Sequence, residues 1–110
     1  MEKTLFALSS DGVTSYRVVF RHEDGKVLID CNCPAGEMGK LCRHKLSLLA
    51  GDNRMLSDHK KQPDLEEVQH WLKDTRIPKL LSELRKTEKE LERTKKRLSD
   101  LKRDIEQEAN

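Results

Sequence analysis

Three cysteines and one histidine stand close together in the sequence, as two pairs that each enclose a single residue. They are Cys31, Cys33, Cys42 and His44, with the spacing C-x-C, eight residues and C-x-H. Thiolate and imidazole groups are the usual ligands of structural zinc, and two such pairs joined by a short loop can complete a tetrahedral site. The pattern therefore predicts one structural Zn²⁺ per chain, bound by all four side chains.

The spacing of each pair also predicts the backbone that carries it. Side chains two residues apart share one face of a strand, so Cys31 and Cys33 can both reach one ion from a strand that ends at Pro34. On a helix, side chains two residues apart diverge by about 200°. A helix should therefore begin at or just after Cys42, with His44 in its first turn. The apolar stripe that follows is helical in spacing and is ended by a glycine.

The order of strand, C-x-C, loop, C-x-H and helix resembles the SWIM zinc finger family. The resemblance covers about residues 14–51. The residues that carry it, besides the two cysteine and histidine pairs, are Pro34, Ala35, Gly39, Leu46 and Leu49. The resemblance implies that the four ligands hold zinc and that the module binds DNA or another protein.

Other uses of the four residues fit the pattern less well. A disulfide would leave one of the three thiols unpaired, and no signal peptide indicates an oxidising compartment. An iron-sulfur cluster of the CDGSH type would need three residues between the last cysteine and the histidine, where only Arg43 stands. A catalytic zinc would need an open coordination position, and four protein ligands leave none. A catalytic cysteine would need a third group that orients its histidine partner, and the sequence shows none. We therefore expect no enzymatic activity.

The composition limits the size of the core and the range of partners. Of 110 residues, 38% are charged and 35% are hydrophobic, so a small head would depend on zinc as a staple. No apolar run approaches the roughly 20 residues that span a bilayer. We expect an intracellular, cytoplasmic protein, with a nuclear location left open, and neither a membrane nor a small-molecule substrate as its partner.

The residues before the first ligand predict a small antiparallel sheet. Residues 4–8 form an apolar run, and residues 15–21 alternate between apolar and polar as a half-buried strand does. A turn over residues 23–25 and a run over residues 26–30 complete a meander that delivers the first two ligands. The aromatic residues expected to pack in the core against the helix are Phe6, Tyr16 and Phe20.

The fold class predicted from these signals is α+β, in three regions. Residues 1–53 form a zinc-stapled antiparallel β-meander plus helix, a SWIM-like ββα head. Residues 54–76 form a linker and a short amphipathic helix, which starts near Asp64 and Glu67 with the spacing of a capping box. Residues 77–110 form a long helix of coiled-coil type. The apolar face of the short helix consists of Leu65, Val68, Trp71 and Leu72.

The long helix carries a heptad pattern. Its predicted seam consists of Ile77, Leu80, Leu84, Thr87, Leu91, Thr94, Leu98, Leu101 and Ile105. Thr75 is a plausible N-cap and Pro78 lies in the first turn, where proline is tolerated. About 30 residues of helix are about 45 Å long, more than the head can cover. We expect homo-oligomerisation through this seam, with another protein or the preceding helix as alternatives and the helix orientation open.

Charge bears on the choice of partner for the head. Residues 1–53 contain seven basic and seven acidic residues, so that half has no overall basic character. Basic residues gather only around the last two ligands, at Lys40, Arg43 and Lys45. Two functions therefore remain. One is a non-enzymatic, multivalent adaptor that binds a protein partner, and the other is a dimeric DNA-binding protein that contacts phosphates through these three residues.

Overall fold

The computed structural model describes residues 1–109, which form a compact unit, Met1–Pro78, and a second unit that begins at Lys79. Strands β1 (Glu2–Leu8), β2 (Ser15–Glu23) and β3 (Lys26–Cys31) form one antiparallel sheet in the order β1-β2-β3. The helices are α1 (Pro34–Glu37), α2 (Arg43–Leu49), α3 (Gln62–Leu72) and α4 (Ile77–Ala109), with 3₁₀ turns at Asn53–Met55 and His59–Lys61. The predicted α+β class is confirmed.

The hairpin between β2 and β3 sets the register of the first metal ligand. Glu23 pairs with Lys26, so the loop has only two residues, Asp24 and Gly25, whose φ angles are 52° and 74°. Two positive φ values are typical of a type I′ turn, whose twist matches that of the strands and which favours Asp-Gly. The predicted turn is therefore present, and it aligns Cys31 opposite Val18 on the buried face.

The sheet buries one face against the helices. Leu5 and Ala7 of β1 lie beside Val18 and Phe20 of β2, and all four are fully buried. Phe6 was expected in this core, but it lies between Leu5 and Ala7 on the strand and is 38% exposed. The alternation of a strand explains the difference, because burying residues 5 and 7 turns residue 6 to the opposite face.

Helix α2 ends in a Schellman motif at Gly51. The amide of Gly51 donates to Leu48 O at 3.0 Å, and that of Asp52 donates to Ser47 O at 3.0 Å. Gly51 has a φ of 75°, a conformation that glycine adopts without a side-chain clash. The predicted glycine stop is confirmed by this geometry.

The chain after α2 returns to the free edge of β1 and does not form an open linker. Leu56 is buried and forms an isolated bridge with Ala7, and the amide of Ser57 donates to Phe6 O at 2.9 Å. The predicted boundary at residue 53 therefore falls inside the compact unit Met1–Pro78.

Helix α3 adds the predicted apolar face, Leu65, Val68, Trp71 and Leu72, to the core of the head. Its start differs from the expected capping box, because no side chain caps its N-terminus. Asp64 and Glu67 instead bind Lys3 Nζ at 3.2 and 3.0 Å, which ties α3 to β1. Gln69 Nε2 donates to Leu48 O and Leu49 O at 3.0 and 3.2 Å, and so satisfies carbonyls at the end of α2.

Helix α4 is 33 residues long, and none of its residues from Ile77 to Ala109 is buried. The hydroxyl of Thr75 donates to Leu72 O at 2.7 Å and accepts the amide of Ile77 at 3.2 Å, consistent with the predicted cap. Within residues 1–109, no helix has both the length and the hydrophobicity that crossing a membrane would require.

The packing of α3 predicts that the zinc-loaded head loses stability when this helix loses its core contacts. Leu65 is 1% exposed, so Leu65→Ala should lower the free energy of unfolding by about 2–5 kcal/mol. The matched control is Leu28→Ala on β3, where the side chain is 49% exposed and the loss should be small. Chemical denaturation measures both, and equal losses for the two variants would contradict this role of α3.

Candidate metal centre

The first ligand lies at the end of β3. The strand ends at Cys31, three residues before Pro34, where the sequence predicted its end, so the prediction that it carries both ligands is wrong. Pairing with β2 continues for one more residue through Asn32, whose amide donates to Arg17 O at 3.1 Å. The Asn32 side chain accepts the amide of Arg17 at 2.7 Å, which turns the chain away from the sheet.

The second ligand is the N-cap of α1, a single helical turn that the sequence analysis treats as loop. Cys33 has φ −71° and ψ 163°, and its Sγ accepts the amide of Gly36 at 3.2 Å. Pro34 occupies the first turn of this helix, where its missing N–H and fixed φ are tolerated. The turn between the two cysteines therefore redirects Cys33 toward the same point as Cys31.

The third and fourth ligands lie at the start of α2, as predicted. Cys42 is the N-cap, and its Sγ accepts the amide of Lys45 at 3.4 Å. His44 is the second residue of the helix, so its ring leaves the first turn on the side of Cys42. Two helix N-termini thus direct N–H groups at two of the three sulfur atoms, an arrangement that favours thiolates.

All four predicted ligands meet in one buried cluster. One donor atom from each of Cys31, Cys33, Cys42 and His44 lies within 4.8 Å of the other three, and Cys31 Sγ is 4.0 Å from His44 Nδ1. Zinc bonds of about 2.0–2.3 Å in a tetrahedron separate ligand atoms by roughly 3.5–3.8 Å. The cluster is therefore close to the size that one zinc ion requires.

The chemistry of the cluster also fits a divalent cation. All three cysteines are buried and free of disulfides. The Nε2 atom of His44 is buried and has no hydrogen-bond partner among residues 1–109. Buried polar groups are normally paired, so three thiols and an imidazole packed together need a further partner. Zn²⁺ supplies that partner, and Cys31, Cys33, Cys42 and His44 would hold it.

The environment shifts the pKa values of Cys31, Cys33 and His44 in different directions. Burial raises the pKa of the Cys31 thiol to about 12. Burial also opposes ionisation of Cys33, but the hydrogen bonds from the Gly36 amide and the neighbouring thiols outweigh it and lower its pKa. Burial, with a smaller effect of the Arg43 charge, lowers the pKa of His44, which keeps its ring neutral and able to bind a metal. A bound cation would therefore have to overcome the raised pKa of the Cys31 thiol.

Two residues around the cluster support the ligands. The Tyr16 ring packs on His44 with the centroids 5.0 Å apart and the planes inclined by 50°. Gly36 lies so close to β3 that an added Cβ would be 2.3 Å from Cys31 O and 2.8 Å from Cys31 Cβ. The sequence predicts that Gly36 and Gly39 let the loop fold back over the ion, but it does not predict this contact with Cys31, because a close approach of two backbone segments leaves no local signal.

The three basic residues near the site have different environments. Lys45 is only 7% exposed, and its Nζ donates to Lys40 O at 3.1 Å, so the fold already engages this ammonium group. Lys40 and Arg43 are exposed. Arg43 also lines an open cleft of about 310 Å³ beside the cluster. The other side chains of this cleft outside the ligand set are Ser9, Ser10, Tyr16, Pro34 and Ala35.

The fold and the donor set define a small structural zinc-binding module. Comparison with known families agrees, since residues 16–50 match the family model described as SWIM zinc finger. The match contains all four clustered residues, which follow C-x-C-x8-C-x-H and are consistent with one structural zinc. The resemblance drawn from the ligand spacing is therefore confirmed for this segment. Neither a curated protein nor a solved structure matches the chain.

The close approach at Gly36 predicts a loss of zinc affinity when a side chain is added there. Gly36→Ala should displace Cys31 or α1 and weaken zinc binding by about tenfold or more, as is typical when the groups that support metal ligands are disturbed. Competition with a chromogenic chelator measures the affinity.

The matched control for this prediction is Glu37→Ala, because Glu37 is an exposed neighbour on the same helical turn. It should bind zinc as the unmodified chain does. Unchanged affinity in Gly36→Ala would show that the backbone contact does not position the ligands.

Proposed function

We propose that this protein is a non-enzymatic adaptor, in which zinc folds the head and α4 joins copies of the chain for multivalent binding of protein partners. The observation that carries the proposal is the exposed apolar seam of α4. Leu80, Leu91, Leu98, Leu101 and Ile105 are between 46% and 67% exposed. Soluble proteins rarely leave so long an apolar stripe in water, so it supports an interface with another helix.

The two threonines in the seam are compatible with burial. The Thr87 hydroxyl donates to Glu83 O at 2.9 Å, and the Thr94 hydroxyl donates to Glu90 O at 3.0 Å. Each hydroxyl is therefore satisfied within its own helix, and the methyl group can face a partner. The two threonines bury less apolar area than leucines would at these positions. They would nevertheless leave no unpaired hydroxyl group in an interface.

The head offers a surface on which a protein partner could bind. Met38 and Leu41 are exposed in the segment that connects α1 and α2, and Leu41 directly precedes the ligand Cys42. Exposed apolar side chains are typical of protein-binding surfaces. No catalytic role is proposed for the cluster, because four protein ligands occupy the tetrahedral positions of a zinc ion. Two or more heads on one stalk would raise the affinity for a multivalent partner through effective concentration.

The proposal predicts that charges placed in the seam abolish self-association. The double variant Leu91→Glu, Leu98→Glu should be a monomer by light scattering at concentrations where the unmodified zinc protein is oligomeric. The control Ser82→Glu, Ser99→Glu adds the same charge at exposed positions outside the seam and should keep the oligomer. A monomeric unmodified protein at high concentration would refute this part of the proposal.

A second candidate function is DNA binding by the dimer, favoured by the exposed Arg43 in the cleft beside the cluster. With Lys45 buried, phosphate contacts would rest on Lys40 and Arg43. Such contacts would make affinity fall steeply with salt.

DNA binding would predict that Arg43→Glu lowers the affinity for duplex DNA by about tenfold at low salt and makes its salt dependence shallower. The control Arg17→Glu makes the same charge change at an exposed position of β2 outside the cleft and should have a smaller effect. Failure of the unmodified protein to bind duplex or single-stranded DNA near 50 mM salt would end this alternative.

A further inference from the structure

We propose that the partner of the α4 seam is a second α4 in antiparallel orientation, overlapped along nearly its whole length, an inference that rests on the self-association proposed above. The charges that flank the seam carry this argument. In a two-stranded coiled coil, residues at the e and g positions lie beside the seam and determine the orientation of the helices through their charges.

The heptad positions follow from the seam. With Ile77 at position a, the e position holds Leu81, Glu88, Lys95 and Lys102, and the g position holds Glu83, Glu90, Arg97 and Asp104. The four central charges, Glu88, Glu90, Lys95 and Arg97, are exposed. Within residues 1–109 their side chains make no salt bridge, and the ion pair found in α4 joins Arg103 to Asp100. The four are therefore available to a second helix.

A parallel dimer would bring like charges together. In that arrangement each g residue faces the e residue five positions further along the second copy. Glu83 would then face Glu88, and Arg97 would face Lys102, so that both pairs repel. Of the charged pairs only Glu90 with Lys95 attracts. The repulsive pairs therefore outnumber the attractive pair by two to one, and each pair occurs twice by symmetry.

An antiparallel dimer reverses this balance. In that orientation g faces g and e faces e. When Leu80 of one copy lies opposite Ile105 of the other, Glu90 faces Arg97 and Glu88 faces Lys95. Both of these central pairs attract, and each occurs twice. The repulsion of Glu83 and Asp104, near the ends of the seam, is the one charged pair of like sign in this register.

The seam residues agree with the same orientation. In a parallel, in-register dimer each threonine would face its own copy, which places two Thr-Thr layers near the centre, on either side of the Leu91 layer. In the antiparallel register a faces d, so Thr87 lies opposite Leu98 and Thr94 lies opposite Leu91. Each threonine methyl group then packs on a leucine, and the reduced apolar area is spread over four layers instead of being concentrated in two.

The antiparallel pairing has a consequence for how the heads are used. Helix α4 has 33 residues, so its ends are about 50 Å apart. The chain enters the two helices at opposite ends of the pair, and the two zinc heads are attached there. The dimer would therefore present its two heads to separate binding sites on its partners, because the heads are attached at opposite ends of the stalk.

Charge reversals test the orientation in the full-length, zinc-loaded protein. Arg97→Glu places a negative charge opposite Glu90 in the antiparallel dimer and opposite Lys102 in the parallel dimer. Its dimer Kd, measured by analytical ultracentrifugation, should therefore rise about tenfold, since two attractive pairs become repulsive. The compensating double variant Glu90→Arg, Arg97→Glu should return Kd to within about threefold of the unmodified value.

The control for these reversals is Lys96→Glu, which makes the same charge change at an exposed f position away from the seam. It should leave Kd nearly unchanged, and circular dichroism checks that each variant keeps its helix.

Three outcomes would overturn the antiparallel assignment while self-association stands. They are a lower Kd for Arg97→Glu, no recovery in the double variant, and a mass above two chains. A monomeric unmodified protein would instead refute both this inference and the self-association on which it rests.

Discussion

The fold of the head depends on the charge balance between three buried thiols and one divalent cation. Without a cation, burial favours the protonated form of the Cys31 thiol, whose pKa it raises to about 12. With zinc, three thiolates and one ion carry a net charge of −1, which the amides of Gly36 and Lys45 help to stabilise at two helix N-termini. The metal thus fastens the end of β3 to the starts of α1 and α2.

This constraint explains the rest of the architecture of the head. The sheet has one buried face and only three strands, so its core is completed by α2, by Leu56 at the edge of β1, and by α3. The ion pairs of Lys3 with Asp64 and Glu67 hold α3 to β1, and Gln69 holds it to the end of α2. Helix α4 takes no part in this core, because none of its residues from Ile77 to Ala109 is buried.

The sequence predicted those features that one local pattern determines. The four ligands follow from their spacing, the start of α2 from the divergence of helical side chains, and the turn at Gly25 from the residues it needs. Features that depend on distant segments were missed, such as the approach of Gly36 to Cys31 and the ion pairs of Lys3 that replace the expected capping box. The burial of Lys45 was also missed, because a lysine that bonds a nearby carbonyl has the same sequence pattern as one that faces a phosphate.

The most direct test of the zinc-dependent head is the fluorescence of Trp71, the single tryptophan of the chain, which is buried in the compact unit that contains the metal cluster. The protein should contain one zinc per chain. Removal of zinc by a strong chelator should shift the emission of Trp71 to the red as the head unfolds, and added zinc should reverse the shift. An emission that stays unchanged after metal analysis shows complete removal of zinc would contradict the account.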